Sequence, residues 1–178
     1  MILGFDPSTK IIGYALCEDS PSLQILEIGK VELKGKTLPE RYQEAANHIK
    51  TLLESIRPDY VGVETSFFGR NAGVAIKLGV MRGIISGLVY TLNDKVKLFE
   101  VTPAEERMAL GIDTKKHADK SEIRRALEWQ FPELKETKPT EDELDALAVA
   151  IATKGKMLSS KLQEAKDVSR YKLKALGR

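Results

Sequence analysis

Met1-Ile2-Leu3-Gly4-Phe5-Asp6-Pro7-Ser8-Thr9-Lys10-Ile11-Ile12-Gly13-Tyr14-Ala15-Leu16-Cys17 opens the chain, and the fold turns on its reading. Ile2–Phe5 is an apolar strand stopped by Asp6-Pro7-Ser8-Thr9, and Ile11–Cys17 is a second strand. Leu23–Leu33 reads as a third, with a turn at Lys34-Gly35. Such short connections join antiparallel neighbours, so the three form a meander. The pattern then alternates. Leu38–Ile56 repeats apolar residues at helical spacing and stops before Pro58; Tyr60–Val63 is a short buried strand; Ala72–Leu92 is a long helix; Val96–Val101 is a last strand. Thr102-Pro103 starts a helix, Asp119–Gln130 forms another, Phe131–Pro139 is a linker, and Thr140 with Glu143 reads as a capping box for the last helix. The order β-β-β-α-β-α-β-α-α-α implies an α/β fold, a mixed sheet of about five strands flanked by helices.

Composition sets the frame. The chain has 178 residues, 30 % charged and 6 % aromatic, the profile of one globular domain with a substantial core. No apolar run is expected to reach the roughly 18 residues of a membrane helix, and a strand directly after Met1 leaves no room for a signal peptide. Cys17 is the only cysteine, which excludes an intrachain disulfide and a cysteine-based zinc cluster and makes a reducing, cytoplasmic setting the expectation. Residues 1–154 are read as the folded domain and 155–178 as a basic tail. That tail holds seven Lys or Arg and two acidic residues, so a polyanionic partner and a plain solvated helix are both open readings.

Four carboxylates carry the chemistry. Asp6 and Glu64 each end an apolar strand, and Gly4 and Gly62 lie two residues earlier on the same strand faces. The glycines would leave the space beneath the carboxylates open, or admit a closely packed helix, or both. Asp142 and Asp145 sit three apart in the first turn of the last helix and share a face. Capping competes as an explanation for Asp142. It is weaker for Asp145, which leads into Ala146-Leu147-Ala148-Val149-Ala150-Ile151. Converging carboxylates repel unless cations neutralise them, and an oxygen-only donor set suits magnesium or manganese. Two such ions about 4 Å apart support phosphodiester cleavage.

Around this set lie groups that could hold nucleic acid. Phe67 and Phe68 are adjacent in a loop and cannot both enter a core easily. An exposed Phe67 could stack on an unpaired base for about 1–3 kcal/mol. Arg70 and Lys77 could hold phosphates, and Lys115, Lys116, Lys120 and Arg124 add positive charge; with Phe68, Asn71 and Arg107 they make the candidate DNA-contacting set. Ordinary surface charge is the alternative for each lysine. His48 reads as a surface residue and His117 as a solvated or phosphate-contacting one. Ala75, Gly79, Gly83 and Gly87 put a small residue at every fourth place of the long helix. Helical glycines cost roughly 1 kcal/mol each against alanine, so close approach of the sheet or of a second copy must offset them.

Assembled in order, these motifs resemble the RuvC family of Holliday-junction resolvases, dimeric nucleases of the RNase H-like superfamily. The likeness covers about residues 1–153. It rests on Ile2-Leu3-Gly4-Phe5-Asp6-Pro7-Ser8-Thr9 with Gly13-Tyr14, Pro58-Asp59-Tyr60 with Glu64, Phe67 to Asn71, Ala75 to Gly79 with Arg82-Gly83, Gly111 with Lys120, and Asp142 to Ala148. The resemblance implies that Asp6, Glu64, Asp142 and Asp145 bind two magnesium ions (manganese substituting) and cleave. It implies that Phe67 enters the junction centre, that Lys120 meets the cut strand, and that the glycine-striped helix forms the dimer. The implied reaction is symmetric nicking of a four-way junction leaving 5′-phosphate ends, with a branch-migration motor as a further implied partner. Glu106 stands where a second basic residue is expected, with Arg107 beside it. Two rival functions are a nuclease for other branched DNA, flaps or RNA, and a silent junction binder. A third, a sugar-kinase or actin-type ATPase suggested by Asp6-Pro7-Ser8-Thr9, needs two such domains and far more chain.

Overall fold

A computed structural model describes residues 1–65, 72–92, 95–113 and 120–175, without the side chains of 120 and 169–175. The strands are β1 (Ile2–Pro7), β2 (Ile11–Glu18), β3 (Gln24–Glu32), β4 (Tyr60–Glu64) and β5 (Lys97–Val101). The helices are α1 (Leu38–Ile56), α2 (Ala72–Leu92), α3 (Pro103–Ala109), α4 (Lys120–Gln130), α5 (Leu134–Thr137) and α6 (Glu141–Ala175). One five-stranded sheet has the order β3-β2-β1-β4-β5. The β1–β2–β3 meander is antiparallel, whereas β1–β4 and β4–β5 are parallel. The expected mixed sheet is therefore present. The linker after Phe131 contains the short α5, and the segment from 155 onward continues α6 as far as Ala175.

Strand alternation splits the core into two layers. Leu3, Phe5, Val61 and Val63 turn to one face and bury against Ala45, Ile49 and Leu53 of α1 and Met81, Ile85 and Val89 of α2. The other face presents Ile2, Ala15 and Cys17 to Leu144, Ala146, Leu147 and Ala150 of α6, with Leu127 and Leu134 closing the layer. The first layer begins with a full capping box at Thr37 and Glu40 and ends α1 at Arg57 in the left-handed region, φ 49°.

The α6 layer has almost no thickness over the sheet centre. A methyl at Gly13 would strike the Asp142 carbonyl, one at Gly62 would strike the Thr153 hydroxyl, and one at Gly4 would come 2.7 Å from the Ala150 nitrogen. Backbone therefore rests on backbone along β1 and β2, while at β4 the Thr153 side chain takes the glycine's place, and the alanines of α6 suit that spacing.

One expectation about α2 needs correction. By length and composition it could cross a membrane, with a window of mean hydropathy 1.6 that is 17 % buried. Its only charged residues are Lys77 and Arg82. In the folded domain its inner side packs on α1, β4 and β1, and Arg82 pairs with Glu100 at 3.7 Å.

Cys17 is buried beneath α6, and burial pushes its thiol up to about 12. The native protein should therefore resist iodoacetamide at pH 8 until denaturant is added. Gly13→Ala, which overpacks the sheet against α6, should lower urea stability by about 1–3 kcal/mol. An unchanged midpoint would show that α6 sits less tightly than described.

Candidate active site

Asp6 and Glu64 stand at one end of the sheet because their strands are parallel neighbours. The register pairs Gly4 with Gly62 and Phe5 with Val63, so the two carboxylate-bearing residues follow the last pairs side by side. Both share the face of Gly4 and Gly62, the α6 face. Asp6 is also opposite Gly13 on β2, and Gly13 is where the backbone of Asp142 sits down. Asp145, one turn on, belongs to the same end of α6. The structure thus brings all four sequence candidates to one end of the sheet, each partly exposed.

The capping question for Asp142 is also answered. Glu143 performs that task, its Oε2 accepting from the Thr140 N–H and hydroxyl at 2.6 Å each. Asp142 has its backbone carbonyl over Gly13 at the sheet end. Arg124 donates to the Pro139 carbonyl at 3.0 Å and lies 3.6 Å from Glu128, which fixes the approach to α6. That guanidinium has internal work, in addition to any contact with DNA.

A fifth carboxylate joins the group. The Thr65 N–H and hydroxyl both bond the Val101 carbonyl, 2.7 and 3.0 Å, so the ends of β4 and β5 stay together. From there Thr102 caps α3 in a complete capping box with Glu105. Burial opposes charge on Glu105, but Lys156 of α6 (2.6 Å) and Thr102 outweigh it and hold that carboxyl below its usual range. Lys156 also donates to the Glu100 carbonyl at 2.7 Å. With α3 pinned in this way, Glu106 is only 5 % exposed. Its carboxyl is pushed up to about 9, first by burial and then by the charges of Glu64, Asp145 and Asp6, against a smaller opposing effect of Arg107. Glu106 Oε1 and Arg107 Nε are both buried without a hydrogen-bond partner. The sequence reading saw in Glu106 only the lack of a basic residue. A usable signal was there: on α3, Glu106 is three and four residues before Ala109 and Leu110, the inward apolar positions.

Among the described residues no three acidic, His or Cys side chains already stand close enough to grip an ion. The donor set nevertheless fits a hard cation. Every donor is a carboxylate, Glu64, Asp145 and Asp6 all act on Glu106, and one buried oxygen of Glu106 has no partner. Phe67, Phe68, Arg70, Asn71, Lys115 and Lys116 lie outside the described residues, as does the Lys120 side chain. Lys77 is exposed on α2. Gly79, Gly83 and Gly87 share a side of α2 where an added Cβ would meet nothing within 4 Å among the described residues, and Ile76 beside them is 68 % exposed.

Comparison with known proteins agrees with this arrangement. The family model described as crossover junction endodeoxyribonuclease RuvC matches residues 2–153. The chain is 30 % identical over 152 residues to the crossover junction endodeoxyribonuclease RuvC of Petrotoga mobilis, covering 84 % of this chain and 90 % of that protein. It is 30 % identical over 155 residues to the RuvC of Salmonella choleraesuis, 85 % and 84 % of the two chains. Among solved structures, Thermus thermophilus RuvC matches at TM-score 0.69 and 25 % identity, over 85 % of this chain and 91 % of that one. The T. thermophilus RuvC in complex with Holliday junction substrate matches at TM-score 0.71 and 23 % identity, over 85 % and 90 %. The fold is thus the RNase H-like one of junction-cutting nucleases. Within that class, the chain belongs to the RuvC family of crossover junction endodeoxyribonucleases.

The position of Glu106 sets a pH dependence. Its folded value near 9 lies above the ordinary 4.5, so the unfolded chain releases this proton first as pH rises. Stability contributed by protonated Glu106 is whole below about 4.5 and lost through about 9. Chemical denaturation of the metal-free protein from pH 5 to 9 should show a declining midpoint, with a shallower decline in Glu106→Gln. Parallel slopes would place Glu106 in a more polar setting than described.

Proposed function

We propose that this chain resolves four-way DNA junctions by paired, metal-dependent nicks, as a dimer with one active site per subunit. The observation that carries the reading is the meeting of Asp6, Glu64, Asp142 and Asp145 at one sheet end in a chain of this family. Those four residues would hold two magnesium or manganese ions. Such ions activate a water nucleophile and neutralise charge on the scissile phosphate. The protein's part is to hold its oxygens still: Asp6 and Glu64 on hydrogen-bonded strands, Asp142 and Asp145 on a helix seated directly on those strands. Arg107, with a buried Nε lacking a partner, suits a phosphate at the rim. Phe67 is assigned to stacking on a base at the junction centre. Phe68, Arg70, Asn71, Lys77, Lys115, Lys116, Lys120 and Arg124 line the DNA path in this reading. A cytoplasmic enzyme of DNA recombination and repair follows.

The open, glycine-bearing side of α2 is the face we assign to dimerisation. Among the described residues nothing comes within 4 Å of a Cβ added at Gly79, Gly83 or Gly87, so no contact among them explains glycine at these helical positions. Val80 and Ile76 beside them are exposed apolar surface of the kind a homodimer buries.

A four-way junction incubated with the protein and Mg2+ should be nicked in two like strands, with linear duplex, flap and RNA–DNA hybrid cut at least 100-fold more slowly. Equal cutting of flaps would replace the junction reading by a general one. Asp6→Asn should lower the cleavage rate by more than 10³ while binding junctions as tightly as the parent; near-parental cleavage would remove Asp6 from the metal site. Sedimentation should give twice the 19.8 kDa chain mass, and Gly83→Leu should shift it to the monomer. A dimer that survives this change would remove α2 from the interface.

A further inference from the structure

We infer that Glu106 is a fifth carboxylate of the metal centre, giving a divalent ion an oxygen that the four motif carboxylates do not supply. The inference rests on the metal-dependent reading above and adds a residue to it. Three observations support it. The first is placement. Val101 is paired with Glu64 across β4 and β5, Thr102 caps α3, and Glu106 follows one turn later. Ala109 of α3 packs with Val149 and Ala152 of α6, so α3 covers the flank of the helix that carries Asp145. The second is electrostatic. Glu64, Asp145 and Asp6 all act on Glu106, and they belong to three different elements. The third is an unmet demand. Glu106 is only 5 % exposed, and its Oε1 has no hydrogen-bond partner.

A buried carboxyl oxygen without a partner needs a donor or a cation. The groups acting on it through charge are carboxylates, apart from Arg107. A cation here would also offset the charges of Glu64, Asp145 and Asp6 that act on Glu106. One divalent ion among them answers both demands, because a hard cation takes six or more oxygens. A basic residue at this position would have repelled that ion and attracted a phosphate. Glutamate here puts the position on the metal side of the site, and Arg107 next to it leaves a cationic group for a phosphate.

The test uses the full chain and Mn2+ as probe, with readouts that need no turnover. Binding of Mn2+ is measured by calorimetry and by electron paramagnetic resonance for the parent, Glu106→Gln, Glu106→Met and Asp6→Asn. Glu106→Gln keeps the shape of the side chain, and Glu106→Met serves if the amide is poorly accommodated. We expect both Glu106 variants to melt at or above the parental temperature without metal. Both should bind Mn2+ at least tenfold more weakly and show a smaller Mn2+-induced rise in melting temperature. Parental affinity in a folded Glu106 variant, with affinity lost in Asp6→Asn, would overturn the role of Glu106 and leave the four-carboxylate reading intact. Parental affinity in Asp6→Asn as well would overturn both. A lower melting temperature without metal, with Mn2+ affinity unchanged, would make Glu106 a packing residue and also overturn the inference.

Discussion

The seating of α6 on the centre of the sheet is the constraint from which the rest follows. At Gly4 and Gly13 the backbones of sheet and helix meet directly. Gly13 admits the Asp142 carbonyl, and Gly62 admits the Thr153 side chain. Because the approach is so close, residues at the start of α6 arrive beside the ends of β1 and β4. Carboxylates separated by more than 130 residues, Asp6 and Asp142, become neighbours through packing alone. A bulkier residue at either glycine would lift the helix, and the site would open before the fold failed. Rigidity is the functional return, since oxygens that must bind the same ion tolerate little displacement.

The strands, most helices and the four carboxylates were legible because each leaves a local signature. Alternation identified β1 and β4, and the glycines two residues before Asp6 and Glu64 identified the shared face. Of the two uses foreseen for those glycines, space under the carboxylates and a close helix, the structure shows the close helix. Less local features were invisible. The length of α6 depends on distant partners: Lys156 reaches Glu105, Lys161 lies 3.9 Å from Asp19 and 5.2 Å from the Tyr60 ring centre, and Glu164 meets Lys97 at 3.2 Å. These contacts give two of the seven basic residues after position 154 partners inside the fold, which weakens the case for that segment as a free polyanion-binding tail. The burial of Glu106 is only faintly visible in the sequence for a similar reason. Its significance lies in what surrounds it, and its neighbours come from β1, β4 and α6.

The site is destabilising by construction. Glu64, Asp145 and Asp6 all disfavour charge on Glu106, and burial disfavours it further. Such a cluster persists only because the surrounding contacts exceed its repulsion. The apolar layers on both sheet faces and the paired Lys156–Glu105–Thr102 contacts supply that excess close to the site. The acidic residues that act on one another here are distributed over β1, β4, α3 and α6 instead of one loop. Each element is anchored independently, so repulsion at its tip cannot be relieved by moving a single segment.

The two sides of α2 extend this logic to assembly. Its inner side contributes Met81, Ile85 and Val89 to the core, whereas its outer side carries glycines beside exposed Ile76 and Val80. Glycine is a poor choice for a solvated helix surface, where alanine would be more stable by about 1 kcal/mol at each position. Three such positions on one stripe are therefore hard to account for in an isolated subunit. They are readily accounted for if another backbone lies along the stripe in the working enzyme, as α6 lies along the glycines of the sheet. On that view the chain solves two problems with one device. Glycine at regular intervals lets backbone meet backbone, inside the subunit to assemble the acidic site, and between subunits to set two such sites a fixed distance apart.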